Sequence, residues 1–310
     1  MFPVSSIGRA ASSFWTLGRR VERFGYVVGA LLIVSGLIHL AILLFTGASW
    51  EGPLSLRKAT TFGLSFGLTL VSVTWVTSFL RLSDRARILQ LGMFAMACVL
   101  ETVLVSLQAW RGVPSHFNLE TTFDALVART LAAGGFALVA LITAFTMAAF
   151  RANSNLPASL LTAIRIGFAM LIAAVVVGAL MIARGMLLVF AGDPQAAYAT
   201  GGRLKPTHFV TMHAILVLPA LAWLLSFVNW SEERRRRVVL VAAAGYAACA
   251  GVIAVGDFAS LGLTSMPLGP IGLLGVLLIL ATGLSVIGGI VHAPISNGIQ
   301  HGRAPTNESY

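Results

Sequence analysis

The chain has 310 residues, 57% of them hydrophobic and 10% charged, with a mean hydropathy of +0.89 and a formal net charge of +10. Soluble domains run at about 45–50% apolar and about 25% charged, so this composition excludes a soluble globular protein and points to a lipid bilayer. The positive balance does not imply nucleic acid, because the basic residues fall mostly in short segments between apolar runs, where they set orientation in the membrane.

Residues 1–23 interleave Arg9, Arg19, Arg20 and Arg23 with Phe14 and Trp15, which predicts an amphipathic cytoplasmic lead-in at the headgroup layer. The next run, 24–46, exceeds a signal-peptide core of about 7–15 residues and has no small-residue cleavage site after it, so it reads as a retained span. A window of about 19 residues predicts an all-α bundle of eight spans. They fall at 24–46, 59–80, 88–109, 126–150, 166–191, 207–230, 238–258 and 270–292, with a cytoplasmic linker at 151–165 and a cytoplasmic tail at 293–310. With the N-terminus inside, 14 of the 21 Lys and Arg residues lie on the cytoplasmic side and 6 outside, so the expected topology is N-in, C-in.

The two halves, 24–150 and 166–292, align with each other. Arg57-Lys58-Ala59-Thr60-Thr61-Phe62 before span 2 matches Leu204-Lys205-Pro206-Thr207-His208-Phe209 before span 6, setting Lys58 against Lys205. The turns Arg81-Leu82-Ser83-Asp84-Arg85 and Asn229-Trp230-Ser231-Glu232-Glu233-Arg234 match next, followed by stretches of spans 3 and 7 that end at Cys98 and Cys249. This pattern predicts a 4+4 tandem repeat whose halves share one orientation about an axis along the membrane normal. Neither cysteine has a second Cys or His at metal-ligand spacing, and both read as small buried hydrophobes.

Polar chemistry is densest from Glu101 to Arg129. Glu101 and Gln108 share one face of span 3, and the chain then runs through Arg111, His116, Asn118 and Asp124. An acid inside a membrane helix is costly unless it faces a protein interior, a cavity or a partner, so Glu101 is a functional candidate. By helix rise, His39, Glu101, Arg184 and His213 fall within about 3 Å of one depth, all in the outer half of the bundle. Arg184 is the basic residue expected inside a span and hence the expected partner of Glu101, either as a structural lock or as the group that tunes an acid/base carboxyl. His208 and His213 lie roughly 140° apart around a helix, which argues against a zinc pair, and no metal site is expected. His39 and His213 meet the depth requirement for a b-type haem held between spans, whereas His292, at the far end of span 8, does not.

Lys58, Arg111, Arg203 and Lys205 rim the outer mouth and suit a phosphate or carboxylate head group. The expected catalytic set is therefore Glu101, His116, His213, His39 and Arg184. The expected substrate-binding set is Lys58, Gln108, Arg111, Asn118, Lys205 and His208. Gly134-Gly135 and Gly288-Gly289 read as close helix packing, and no dinucleotide, phosphate-loop, nucleophile-elbow or zinc-protease motif is present.

The stretch Gln108-Ala-Trp-Arg-Gly-Val-Pro-Ser-His-Phe-Asn118, together with Lys205-Pro-Thr-His-Phe-Val-Thr-Met-His213, resembles uncharacterised multi-pass integral membrane proteins of bacteria. The resemblance covers the outer halves of spans 3 and 6 and the loop after span 3; it implies a bacterial inner-membrane setting and no activity. The 4+4 layout with scattered histidines also resembles haem A synthase, but the histidines do not match residue by residue, so no role is carried over.

Three function classes follow. A membrane-embedded enzyme would use Glu101 and a histidine for proton transfer on a lipid or isoprenoid-like substrate, and it leads because the polar groups gather toward one face of the membrane. A transporter or proton-coupled carrier would use Glu101 and Arg184 at mid-depth, but the halves lack paired Gly/Pro interruptions. A haem-binding redox protein would use His39 and His213. The partners expected are the bilayer and an amphiphilic small molecule, with no nucleic acid.

Overall fold

A computed structural model describes residues 4–50, 52, 54–200, 202–259 and isolated positions between 275 and 288, and every regular element among them is a helix. The helices are α1 (Val4–Thr16), α2 (Arg20–Thr46), α3 (Arg57–Thr77), α4 (Asp84–Trp110), α5 (Thr122–Phe150), α6 (Ala158–Phe190), α7 (Pro194–Thr200), α8 (Lys205–Leu225) and α9 (Glu232–Ala259). Seven of these, α2 to α6, α8 and α9, are long and apolar enough to cross a membrane. They coincide with the first seven spans expected from hydropathy. The eighth, at 270–292, falls largely outside the described residues, as does His292.

Local chemistry sets the helix ends. The Ser83 hydroxyl accepts the Ala86 N–H at 3.3 Å to open α4, and the Thr121 hydroxyl accepts the Asp124 N–H at 3.1 Å to open α5. Gly47, at φ 63°, closes α2 in the left-handed conformation that a Cβ would strain. The outward faces are apolar, with Phe45, Phe136 and Phe190 at 92%, 76% and 77% exposure, as expected of side chains whose solvent is hydrocarbon.

Packing is closest between α2 and α3 and between α6 and α8. A Cβ on Gly63 would stand 2.6 Å from the Gly36 backbone nitrogen, and one on Gly67 the same distance from the Gly29 carbonyl oxygen. Small residues bring these backbones together where no hydrophobic force between helices is available. α3 is thereby the most enclosed span, and a core led by Leu70, Val73, Phe94, Phe145, Phe168 and Leu218 surrounds it.

The α3–α4 and α8–α9 turns match bond for bond at a constant interval in the sequence. The Ser78 and Ser226 hydroxyls each donate to the carbonyl three residues earlier, Trp75 and Trp223, at 2.6 Å. The Ser83 and Ser231 hydroxyls each accept a helix-opening N–H. Arg87 donates to the Leu80 carbonyl at 2.9 Å, and Arg235 to the Val228 carbonyl at 2.7 Å. Arg87, 2% exposed, also donates to the Thr77 carbonyl at 2.6 Å and meets fully buried Glu22 of α2 at 3.5 Å.

Trp75 and Trp223 stand edge to face at 6.2 Å, and Phe14 of α1 lies edge-on to both, at 5.9 and 6.1 Å, and to Phe79 at 5.7 Å. The amphipathic lead-in thus buries its Phe14 in an aromatic box at this end of the bundle, while Trp15 stays half exposed.

Candidate functional site

The polar stretch after α4 is held by a closed clamp. Asp124, in the first turn of α5, accepts Gln108 at 2.8 Å, the Thr121 hydroxyl at 2.6 Å and the Arg111 guanidinium. Arg111 also donates to the Gln108 side-chain amide oxygen, Oε1, and lies 4.7 Å above the Phe123 ring. Gln108 and Arg111, expected to bind substrate, are thereby committed to joining α4 with α5. Asp124 is the partner that sequence reasoning did not single out, although its place in the first turn of a helix after Thr121 is a capping signature.

Between the clamp and α5 the loop crosses toward the second half. Phe117 takes a left-handed conformation at φ 66°, costly for a bulky residue at about 1–3 kcal/mol, and packs so closely on Gly185 of α6 that a Cβ there would collide with its ring. His116 faces Phe62 of α3 at 5.8 Å, and its Nδ1 lies 3.0 Å from the Ser115 hydroxyl. Burial, together with the positive charge of Lys58, pushes the His116 pKa down to about 3, so the imidazole is neutral at ordinary pH. Asn118 is fully buried, and its side-chain carbonyl accepts the Glu120 N–H at 3.1 Å. Its amide nitrogen has no partner among the described residues. Tyr198 of α7 is buried near Glu120 and Asp124, and that burial with those two carboxylates raises its phenol pKa.

Lys58, at the start of α3, lies within electrostatic range of Lys205, at the start of α8, and of Arg57. Lys58 is within electrostatic range of His116 as well, so three of the expected site residues, from two helix starts and one loop, act on one another only through their charge.

The four residues expected at one depth do not converge. Glu101 is 4% exposed and faces α5, where a Cβ on Gly134 would stand 2.6 Å from its Oε1; that oxygen has no hydrogen-bond partner among the described residues. Gly134 thus serves close packing as expected, whereas a Cβ on Gly135 or Gly288 would meet open space. Arg184 makes no ion pair with Glu101 and is exposed, two turns before the end of α6, where a long cation extends away from the bundle. Among the described residues the buried cation is instead Arg87, in the first turn of α4, which hydropathy had placed just outside a span on the cytoplasmic side.

His39 is saturated, with Nδ1 2.8 Å from the Ser35 carbonyl and Nε2 accepting Trp110 at 3.0 Å. This arrangement does not fit an axial haem ligand. His213 leans on Phe209 at 4.1 Å between ring centres with Nδ1 2.7 Å from the Phe209 carbonyl, and His208 bonds the Ala174 carbonyl at 2.7 Å, joining α8 to α6. Among the described residues no three His, Cys, Asp or Glu side chains stand close enough to hold a metal ion. A lateral groove of about 490 Å³ between α2 and α4 carries Ser35, Thr102 and Ser106 among apolar residues such as Val28 and Leu32. No family model matches the chain, and neither a curated protein nor a solved structure matches it.

Proposed function

We propose that the protein is a bacterial inner-membrane enzyme that carries out acid/base chemistry on a lipid or isoprenoid-like amphiphile at the outer side of the bundle, with Glu101 as the proton-transfer group. One observation carries this reading. The Glu101 carboxyl is enclosed by the bundle, has an unbonded oxygen and has no ion-pair partner among the described residues that would make it a structural lock. His116, neutral and beside Lys58, supplies a second proton-handling group toward the outer surface. His39, His213 and Arg184 take no part in the proposal, being engaged by their own neighbours or turned outward.

The proposed architecture is eight spans in two four-helix repeats, N-in and C-in. The matching turns at Trp75 and Trp223 support the repeat. This hydrogen-bond register sets Lys205 against Arg57 and Cys249 against Glu101, one residue away from the sequence alignment at the lysines and three at the cysteine. The apolar runs carry no residue that pins their register, whereas the turn bonds do. The distribution of Lys and Arg supports the orientation.

The test is a comparison of extracted membrane lipids, by mass spectrometry, from cells making the wild-type protein, Glu101→Gln or neither. The expected result is one lipid class altered by the wild type and not by Glu101→Gln at equal folded yield. Identical profiles in all three would end the reading. A proton-coupled carrier is the second reading, favoured by the Phe14, Trp75 and Trp223 closure at one end of the seam between α3 and α8. Proton uptake by proteoliposomes, lost in Glu101→Gln, would favour it over the enzyme.

A further inference from the structure

α2 and α4 are tied to each other at two levels. Near one end buried Glu22 meets Arg87 at 3.5 Å, and near the other Trp110 donates to His39 Nε2 at 3.0 Å. Over this length α2 is drawn toward α3, where a Cβ on Gly36 would stand 2.6 Å from the Leu64 backbone nitrogen. The groove of about 490 Å³ opens between the two ties, walled by Val28, Leu31 and Ser35 on α2 and by Val99, Val103 and Ser106 on α4. Leu31 and Val103 are 62% and 53% exposed, so the groove faces the hydrocarbon.

Both walls lead back to free arginines. Arg20 precedes Leu31 by about three turns and lies within about 20° of it around α2. Arg85 precedes Val99 by about four turns and lies about 40° from it around α4. On that side of α4, Ile88 is 59% exposed and a Cβ on Gly92 would meet open space, so an apolar track runs from Arg85 to the groove. Arg19 and Asp84, the residues just before these two arginines, pair at 3.7 Å and bring the helix starts together. Arg20 and Arg85 are exposed, and neither makes a hydrogen bond or ion pair among the described residues. The nearby acids are engaged, Asp84 by Arg19 and Glu22 by Arg19 and Arg87. Glu101 lies about 160° around α4 from Val99 and Val103, so an occupant of the groove does not meet that carboxyl.

We infer that the seam between α2 and α4 binds an anionic phospholipid of the leaflet at this end, cytoplasmic on the proposed orientation, with its phosphate between Arg20 and Arg85 and an acyl chain in the groove. Guanidinium groups give a phosphate planar, paired N–H contacts, and basic residues at the foot of a seam between spans suit a phospholipid head group. By helix rise Val28 stands about 12 Å above Arg20 and Val99 about 21 Å above Arg85, which puts the groove in the acyl layer of a hydrocarbon core about 30 Å thick. The inference goes beyond the proposed function: the lipid is held on the far side of α4 from Glu101, and its binding does not depend on proton transfer there.

The experiment uses the full chain in dodecyl maltoside, titrated with phosphatidylglycerol or with phosphatidylcholine of the same chain length, and counts bound lipid by native mass spectrometry. One phosphatidylglycerol per chain is expected, held tenfold or more tighter than phosphatidylcholine. Arg20→Gln/Arg85→Gln should remove that preference, Arg20→Lys/Arg85→Lys should keep most of it, and Arg236→Gln, an exposed cation on α9, should leave it unchanged. Ser35→Phe, which fills the groove, should weaken both lipids. The lipid-free thermal midpoint of each variant checks folding, and Val103→Trp, on the exposed side of the groove, replaces Ser35→Phe if that variant folds poorly. A wild type without preference, a preference that survives the Gln pair, or one lost equally in Arg236→Gln overturns the inference. A dimer that disappears in Ser35→Phe would assign the groove to a second copy of the chain and overturn it as well.

Discussion

Glu101 and Gly134 act as a unit, because the carboxyl occupies the space a larger residue at 134 would take. Gly134→Ala should displace the carboxyl and abolish the lipid change as Glu101→Gln does, and the shorter acid in Gly134→Ala/Glu101→Asp should recover part of it. The readout is the same lipid profile, with folded yield as control. Buried Glu22 and Arg87 test the opposite role. Glu22→Gln removes the carboxylate that faces the buried Arg87 and should cost about 3–5 kcal/mol in thermal denaturation, while Arg87→Met should cost less because Glu22 keeps Arg19 at 3.1 Å. His116 makes a pH prediction. Its folded pKa of about 3 lies below the ordinary 6.5, so between these values the unfolded chain binds a proton that the folded chain does not. Stability should therefore fall as pH drops from 6.5 toward 3, and His116→Gln should flatten that fall in a series of thermal melts.

The spans were legible in the sequence as elements, because twenty-odd apolar residues between polar ends admit few structures other than a helix in lipid. The bonds within the polar stretch were less so. Depth along a helix follows from residue count, but rotation about its axis does not, and Arg184 shows the difference: it shares a level with Glu101 yet points away. Periodicity could not find the side of α6 that faces α8, since its apolar residues run all the way round. The electrostatic coupling of Lys58 and Lys205 was foreshadowed by a sequence alignment that lies one residue off the register of the turns, whereas the left-handed Phe117 had no signal in a bulky residue flanked by histidine and asparagine. α1 is an element whose docking rests on one side chain. Phe14→Ala should cost about 3–5 kcal/mol of the α1 contact and expose residues 4–16 to limited proteolysis before the rest of the bundle.

At the scale of the molecule, the distribution of basic residues predicts that a reporter fused after Ser231 reads as cytoplasmic and one within 192–202 as external. The reverse outcome would put the Lys58 and His116 cluster on the cytoplasmic side. The two halves touch along α3 and α8, and the first half also reaches into the second at both ends. Phe117 seats on Gly185 at one end, and Phe14 meets Trp223 at the other. Covalent continuity through residues 151–157 is therefore not what keeps the halves in register. A chain severed there and produced as two fragments should reassemble into a particle that co-purifies through either fragment's tag, and Gly185→Leu, which evicts Phe117, should make that reunion fail while the uncut protein still folds.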